Sequence, residues 1–271
     1  MMFNNTLIVG LGLIGGSLAF DIKSKKLSQN VYALDKDQSA LKSAVDKGII
    51  EGGFEEDIEY DFIIFCNPIS SLEDTAKILE KYIKNTLITD VASVKEYPEN
   101  VLKPIFKENY IGSHPIAGSH KNGFENASKD LFKDRLAVIC PTDLSKEEYI
   151  FKLKDFWERL GSKVEIMDSK THDKIFAITS HLPHLIAYTL TKSLPEEYKN
   201  YVGQGFLDTT RIGASQSGLW TDIFLYNQEH LLESIELFKK HLAYLENIIK
   251  QKDKERLAKA LEEISNKRKS L

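Results

Sequence analysis

The first 165 or so residues alternate short apolar runs with segments of helical spacing, and this alternation limits the folds open to the chain more than any other feature. The runs lie at residues 6–9, 31–34, 62–66, 87–89 and 136–140, with helical patterns between them, as at residues 71–83 and 146–160. Strands separated by helices pair through crossovers, so they read as βαβ units of a parallel, doubly wound sheet. The runs are apolar throughout rather than alternating, as parallel strands covered on both faces require. From about Asp168 the strand pattern stops, and residues 168–194, 219–249 and 253–266 carry long helical patterns. The expected fold is α/β, with a doubly wound sheet in residues 1–167 followed by an all-helical domain in residues 168–271. The apolar stripe along residues 229–249 needs covering, by the same chain or by a second subunit. A homodimer through the helical domain is the expectation.

The segment Gly10-Leu11-Gly12-Leu13-Ile14-Gly15-Gly16-Ser17 follows the first apolar run and opens a helical pattern, the setting in which G-x-G-x-x-G binds a dinucleotide. This makes the sheet Rossmann-type. Gly10 permits the tight turn, Gly12 lets the backbone approach a pyrophosphate, and Gly15 lets the helix pack against the strand. The N–H groups at the helix start, from Leu13, Ile14 and Gly15, then face the phosphates. Asp35 ends the second run, twenty residues after Gly15. An acid there accepts hydrogen bonds from the adenosine ribose and repels a 2′-phosphate, which favours NAD over NADP. Lys36 beside it could tolerate that phosphate. The plainer readings are a ligand-free glycine loop and a strand-end turn residue. Asn67 and Pro68 follow the run at 62–66, and Ser93 follows the run at 87–89. Ligands of open α/β sheets sit outside the carboxyl ends of the strands, so these residues are candidates for the nicotinamide half.

Bulk properties exclude other classes. Lys+Arg 36 against Asp+Glu 40 gives a net charge of −4, without the basic excess of a nucleic-acid binder. The basic tail Lys267, Arg268, Lys269 reads as a solvated helix end. No apolar run approaches the roughly 18 residues of a membrane span, and no signal peptide is expected at the N-terminus. Cys66 and Cys140 sit in or beside apolar runs and read as free thiols, which points to the cytoplasm.

Three polar clusters suggest a reacting centre. His114, in Gly112-Ser113-His114-Pro115-Ile116-Ala117-Gly118, follows a short apolar stretch and is expected in a loop at a strand end. A dehydrogenase needs a base for the carbinol proton, and histidine supplies one near neutral pH; alone, a His in a Gly/Pro loop is more often a turn residue. Ser180-His181-Leu182-Pro183-His184 lies in a helical pattern, and the i, i+3 spacing puts both histidines near one face. Pro183 is expected to kink that helix. A substrate role, a metal site and a core histidine are the readings open here; no Glu or Cys of ligand spacing joins the pair, so no metal is assigned. Asp208-Thr209-Thr210-Arg211 places an Arg where a carboxylate can orient it towards a substrate carboxylate, or where the two form a surface ion pair.

Taken in order, the 10–17 loop, Asp90-Val91-Ala92-Ser93-Val94-Lys95, His114-Pro115-Ile116-Ala117-Gly118, His172-Asp173, the 180–184 cluster, and Asp208 to Arg211 with Leu219-Trp220 resemble the prephenate/arogenate dehydrogenase family. The resemblance runs from residue 5 to about 225. It implies a Rossmann domain, a helical dimerisation domain, and an active site between them. It further implies that His114 bonds the substrate's ring hydroxyl with Ser93 as its partner near the nicotinamide. By the same resemblance Arg211, oriented by Asp208, binds a substrate carboxylate; His184 contacts the substrate; and Trp220 walls the pocket. For His181 a structural reading stays open. The implied reaction is oxidative decarboxylation of prephenate with hydride transfer to NAD. His120 stands where a Glu is frequent and Ser217 where a Pro is frequent, which puts any gating role of that Glu in doubt. No appended regulatory domain or fused mutase is expected. An arogenate-specific enzyme shares every motif. A β-hydroxyacid dehydrogenase would need a catalytic Lys in a Gly-rich helix, which is not found, and a non-catalytic NAD-binding regulator would need no base.

Overall fold

The computed structural model describes residues 1–117 and 123–271. Strand β1 (Phe3–Val9) runs into helix α1 (Leu13–Ser24), followed by β2 (Ser28–Leu34), α2 (Gln38–Asp46), the short β3 (Gly52–Gly53), β4 (Phe62–Phe65), α3 (Leu72–Leu79), β5 (Leu87–Asp90) and α4 (Glu96–Phe106). These strands form one sheet in the order β3-β2-β1-β4-β5, and every pair is parallel. The chain winds outward one way from β1 through β2 and the other way from β4 through β5. The switch in direction therefore lies between β1 and β4, and the crevice at their carboxyl ends is where such sheets take ligands. β4 is buried along its whole length, as the unbroken apolar run requires. On one face of the sheet Phe3 stacks on Phe62 at 4.3 Å between ring centres and Phe156 meets Phe62 edge-on at 4.9 Å; on the other, Leu7, Ile63, Leu79 and Leu102 share a second core.

The chain continues with β6 (Ile111–Pro115), β7 (Leu136–Pro141), α5 (Glu147–Arg159) and β8 (Lys163–Ile166). The run at 136–140 belongs not to the main sheet but to a three-stranded one in the order β6-β7-β8, in which β6 is antiparallel to β7. β6 continues the main sheet at its β5 edge through a bridge between Ile88 and Tyr110. His114 therefore lies within a strand, paired with Val138, rather than in a loop beyond one. The sequence Ile-Gly-Ser-His-Pro carries no apolar run, so tertiary pairing alone makes it a strand.

Helices follow from Ser169 onward: α6 (Ser169–Phe176), α7 (Leu182–Lys192), α8 (Gln204–Thr210), α9 (Ser217–Tyr226), α10 (Gln228–Gln251) and α11 (Lys254–Lys269). Asp168 caps α6 by accepting the Thr171 N–H at 2.8 Å. Between α6 and α7 one turn, Ala177–His181, widens to π geometry. Pro183 sits in the first turn of α7, where its missing N–H is tolerated; the wide turn just before it takes up the irregularity. The pattern read across residues 219–249 is broken at Asn227. The Asn227 amide is buried and donates to the Asp173 carbonyl at 2.8 Å. It also faces His181 Nδ1 at 3.0 Å. Along the 24 residues of α10 only His230, Leu231, Ser234 and Ile248 are buried, while Leu232, Leu237, Phe238, Leu242 and Ile249 are exposed. No helix among the described residues is long and apolar enough to cross a membrane.

Candidate active site

The glycine loop forms the floor of the crevice. Gly10 holds φ +96°, a conformation L residues rarely adopt, and a methyl group there would lie 2.8 Å from the Asn67 nitrogen. A methyl on Gly15 would meet the Gly10 carbonyl oxygen at 1.9 Å, so α1 packs directly on the turn. The Gly10 N–H bonds the Leu34 carbonyl at 2.8 Å, and the Leu11 N–H bonds Asp35 Oδ2 at 2.5 Å. The half-buried Asp35 thus ties the loop to the end of β2, while its Oδ1 accepts from the Asp37 N–H at 2.8 Å. A carboxylate has about four lone-pair positions, so acceptor capacity remains for a ribose.

Three features fit the loop to an NAD pyrophosphate and nicotinamide. Gly12 precedes α1 as its N-cap, with no side-chain cap and no acid in the first turn, leaving the first N–H groups of the helix for an anion. A methyl on Gly12 would touch nothing within 4 Å, so the space over the loop is open. Asn67 Oδ1 is buried without a partner among the described residues, while its Nδ2 donates to Ser71 Oγ at 3.0 Å. A buried orphan acceptor at the mouth of the crevice suits an amide or hydroxyl donor of the cofactor. Pro68, the next residue, starts the short turn into α3.

A fully buried ion pair stands beside this cleft. Lys95 Nζ contacts Asp90 Oδ1 at the end of β5 and donates to the Ser113 carbonyl of β6 at 2.7 Å. Tyr110 donates to Asp90 Oδ2 at 2.8 Å, the Ala92 N–H bonds Asp90 Oδ1 at 2.9 Å, and Ser113 Oγ bonds the Asp90 carbonyl at 2.9 Å. Burying two charges is repaid only when their remaining hydrogen-bond capacity is used, as it is here. The cluster fixes β6 against β5 and shapes the loop that carries Ser93, whose hydroxyl has no hydrogen-bond partner among the described residues. His114, the next residue along β6, is thereby held level with the carboxyl end of β5.

His114 is half-buried. Its Nδ1 lies 2.8 Å from His172 Nε2, and His172 Nδ1 lies 2.7 Å from Asp173 Oδ1. Asp173 also accepts the Lys95 N–H at 2.7 Å and the Glu96 N–H at 2.9 Å, so one carboxylate from α6 caps α4. His230 of α10 adds a contact to Glu96 at 2.8 Å. Desolvation lowers the pKa of His114 well below the ordinary histidine value, and coupling to His172, Lys95 and His181 acts in the same direction. Burial pushes His172 down to about 2 and His181 to about 4. All three are neutral at physiological pH.

His184 stacks on Trp220 with ring centres 3.4 Å apart, and its Nδ1 donates to the Ser180 carbonyl at 2.9 Å, leaving Nε2 as an acceptor. Trp220 packs with Ile69, Val94 and Ile223, which brings this pair against the loop of Ser93. Arg211 is exposed but near enough for its charge to lower the His184 pKa, after the larger effect of burial. Asp208 does not orient Arg211 here. It is exposed and accepts from Gln204 Nε2 at 2.7 Å, because α8 ends at Thr210 and Arg211 enters a tighter turn. His120 and Gly118 lie outside the described residues. His172, Asp173, Lys95 and Asn227 are the site residues to which sequence reasoning assigned no role. The adjacent His-Asp pair inside a helical pattern was the available signal for the first two.

Two family models cover nearly all of the chain. The nucleotide-binding domain of prephenate dehydrogenase matches residues 18–166 and the dimerization domain of prephenate dehydrogenase matches residues 168–263. A prephenate dehydrogenase of Lactococcus lactis is 36% identical, across 95% of this chain and 74% of the relative. A cyclohexadienyl dehydrogenase of Zymomonas mobilis is 30% identical, across 100% and 97%. Among solved structures, prephenate dehydrogenase from Aquifex aeolicus in complex with hydroxyphenyl propionate and NAD+ superposes with a TM-score of 0.93 at 34% identity, covering 98% of both chains.

Proposed function

Given that the chain belongs to the prephenate dehydrogenase family and catalyses the NAD-dependent oxidative decarboxylation of prephenate to 4-hydroxyphenylpyruvate in tyrosine biosynthesis, we propose that His114 is the base of that reaction. Its position carries the reading: a neutral, half-buried imidazole with one ring nitrogen engaged by His172, held level with the end of β5 beside the dinucleotide crevice. NAD, when held by the glycine loop, would supply the hydride acceptor. His114 takes the ring hydroxyl proton, Ser93 donates to the same oxygen, and departure of the ring carboxylate as CO2 completes an aromatic ring. Aromatisation provides the driving force, so the protein mainly orients the ring and holds a base.

Gly10, Gly12, Leu13, Ile14 and Gly15 hold the pyrophosphate, Asp35 the adenosine ribose, and Asn67 and Pro68 the nicotinamide half. Arg211 binds a substrate carboxylate, while His184 and Trp220 form the opposite wall. Residues 1–167 act as the dinucleotide-binding domain and residues 168–271 as the substrate and dimerisation domain. The exposed apolar stripe of α10 supports a homodimer through that domain, because an isolated chain would leave Leu232, Phe238, Leu242 and Ile249 in water. The cytoplasm, where free thiols persist, is the proposed compartment. The test is turnover of prephenate with NAD, followed by the absorbance of the reduced nicotinamide, in wild type and His114→Asn. Near wild-type turnover in the variant removes His114 from the mechanism.

A further inference from the structure

The chain of contacts from His114 to Asp173 has a direction fixed by its end. A carboxylate only accepts, so the proton between Asp173 Oδ1 and His172 Nδ1 sits on the histidine. Neutral His172 then has a bare Nε2, which can only accept, so the proton in the next contact sits on His114 Nδ1. His114 is left with its lone pair on Nε2, the nitrogen not engaged by His172. We infer that His172 and Asp173 are positioning residues of the dehydrogenation, fixing His114 in the one tautomer that can take a proton from the substrate. This rests on His114 being the base.

The arrangement resolves an electrostatic conflict. Desolvation keeps His114 neutral before reaction, but the same burial penalises the imidazolium that forms as it accepts the hydroxyl proton. Among the described residues, the negative charge connected to the far side of the ring is that of Asp173, through His172. In the step, the substrate O–H bond breaks and a new N–H bond forms at His114 Nε2. The C–H bond of the ring carbon bearing that oxygen breaks with its electron pair passing as hydride to NAD, the bond to the ring carboxylate breaks to release CO2, and the phenolate oxygen so formed regains its proton from His114. While His114 carries that proton, its positive charge polarises Nδ1–H towards His172, which is held by the carboxylate. A buried carboxylate that fixes the tautomer of a catalytic imidazole performs the same work in serine proteases. Asp173 is itself held by the N–H groups of Lys95 and Glu96, so its position is set by the start of α4 rather than by His172. Among the described residues the titratable or charged groups facing His114 are His172 and Asp173 from α6, His181 from the π turn, Asp90 from the end of β5, and Lys95 from the start of α4.

The test combines a spectrum with a kinetic series. In ¹⁵N-histidine-labelled wild-type enzyme, with His114 assigned by its loss in His114→Asn, Nδ1 is expected protonated and Nε2 bare. An Nε2–H tautomer overturns the inference. His172→Leu removes the acceptor and is expected to lower kcat by about 10²–10⁴-fold, with the KM for NAD within about threefold of wild type. His172→Gln, whose side-chain oxygen can accept the Nδ1 proton, is expected to recover at least tenfold of that loss. Asp173→Asn removes the charge that favours the imidazolium, so the acid limb of kcat against pH moves to lower pH. If His114→Asn is inactive while His172→Leu keeps wild-type turnover and pH profile, the relay is wrong and the base assignment stands. If His114→Asn turns over normally, both fail. If His172→Leu does not fold, the wild-type spectrum still decides.

Discussion

Two alanine substitutions within one helical turn, Gly15→Ala and Gly12→Ala, separate cofactor binding from folding. At Gly15 the new methyl lies 1.9 Å from the Gly10 carbonyl oxygen and 3.1 Å from Ile8 Cγ2. Neither neighbour is the end of a flexible side chain, so the start of α1 must move outward by about 1.5 Å to restore an ordinary contact. Overpacking of this kind costs about 1–3 kcal/mol, and the better helix propensity of alanine returns at most about 1 kcal/mol. A shift of that size also carries the first N–H groups of α1 out of reach of the pyrophosphate. Each lost hydrogen bond to a charged group is worth about 1.5–3 kcal/mol, roughly ten- to a hundredfold in NAD affinity. At Gly12 the same methyl touches nothing within 4 Å, and φ −74° suits alanine. The poorer N-cap and the reduced entropy of the unfolded chain offset each other to within about 1 kcal/mol. Yet the methyl fills the space over the loop that the pyrophosphate needs. The expected result is that both variants raise the Kd for NAD at least about tenfold, measured by calorimetry, while only Gly15→Ala loses stability in urea melts. Unchanged NAD affinity in Gly12→Ala would refute the placement of the pyrophosphate. Unchanged stability in Gly15→Ala would refute the packing argument.

Other outcomes follow from the same geometry. His114→Asn is expected to lower kcat by about 10²–10⁴-fold; steady-state turnover of prephenate checks it. Arg211→Ala should raise the KM for prephenate with little change in kcat, since its guanidinium binds rather than reacts; a pure kcat defect contradicts the assignment. Stability should fall with acid: His172 and His181 titrate near 6.5 when unfolded but only near about 2 and about 4 when folded. Below about pH 6.5 the unfolded chain therefore binds more protons than the native one, and the stabilisation present above that pH is lost progressively as pH falls towards the folded values. A Tm at about pH 5 equal to that at pH 7 contradicts the burial of neutral imidazoles. Light scattering should give a dimer at micromolar concentration; a monomer would leave the α10 stripe without its proposed cover.

Local rules made much of this protein legible from its residues. A period of two or of continuous apolarity against a period near 3.6 separated strands from helices, so β1, β2, β4, β5 and β7 were placed within a residue or a few of their bounds. Gly10 and Gly15 were readable because their requirement is steric and lies within one turn of chain. What tertiary structure alone decided is every feature whose partner is distant. β6 is a strand because β5 and β7 offer it hydrogen bonds, not because its residues prefer one. Asn227 interrupts a continuous helical pattern because Asp173 and His181 claim its side chain. Asp208 turned to Gln204 instead of Arg211 because a helix ended between them. The His114–His172 contact spans 58 residues, and no periodicity encodes a separation of that size. Sequence fixes a residue's local backbone preference, but only packing of the two halves around α4 brings together side chains whose chemistry depends on each other.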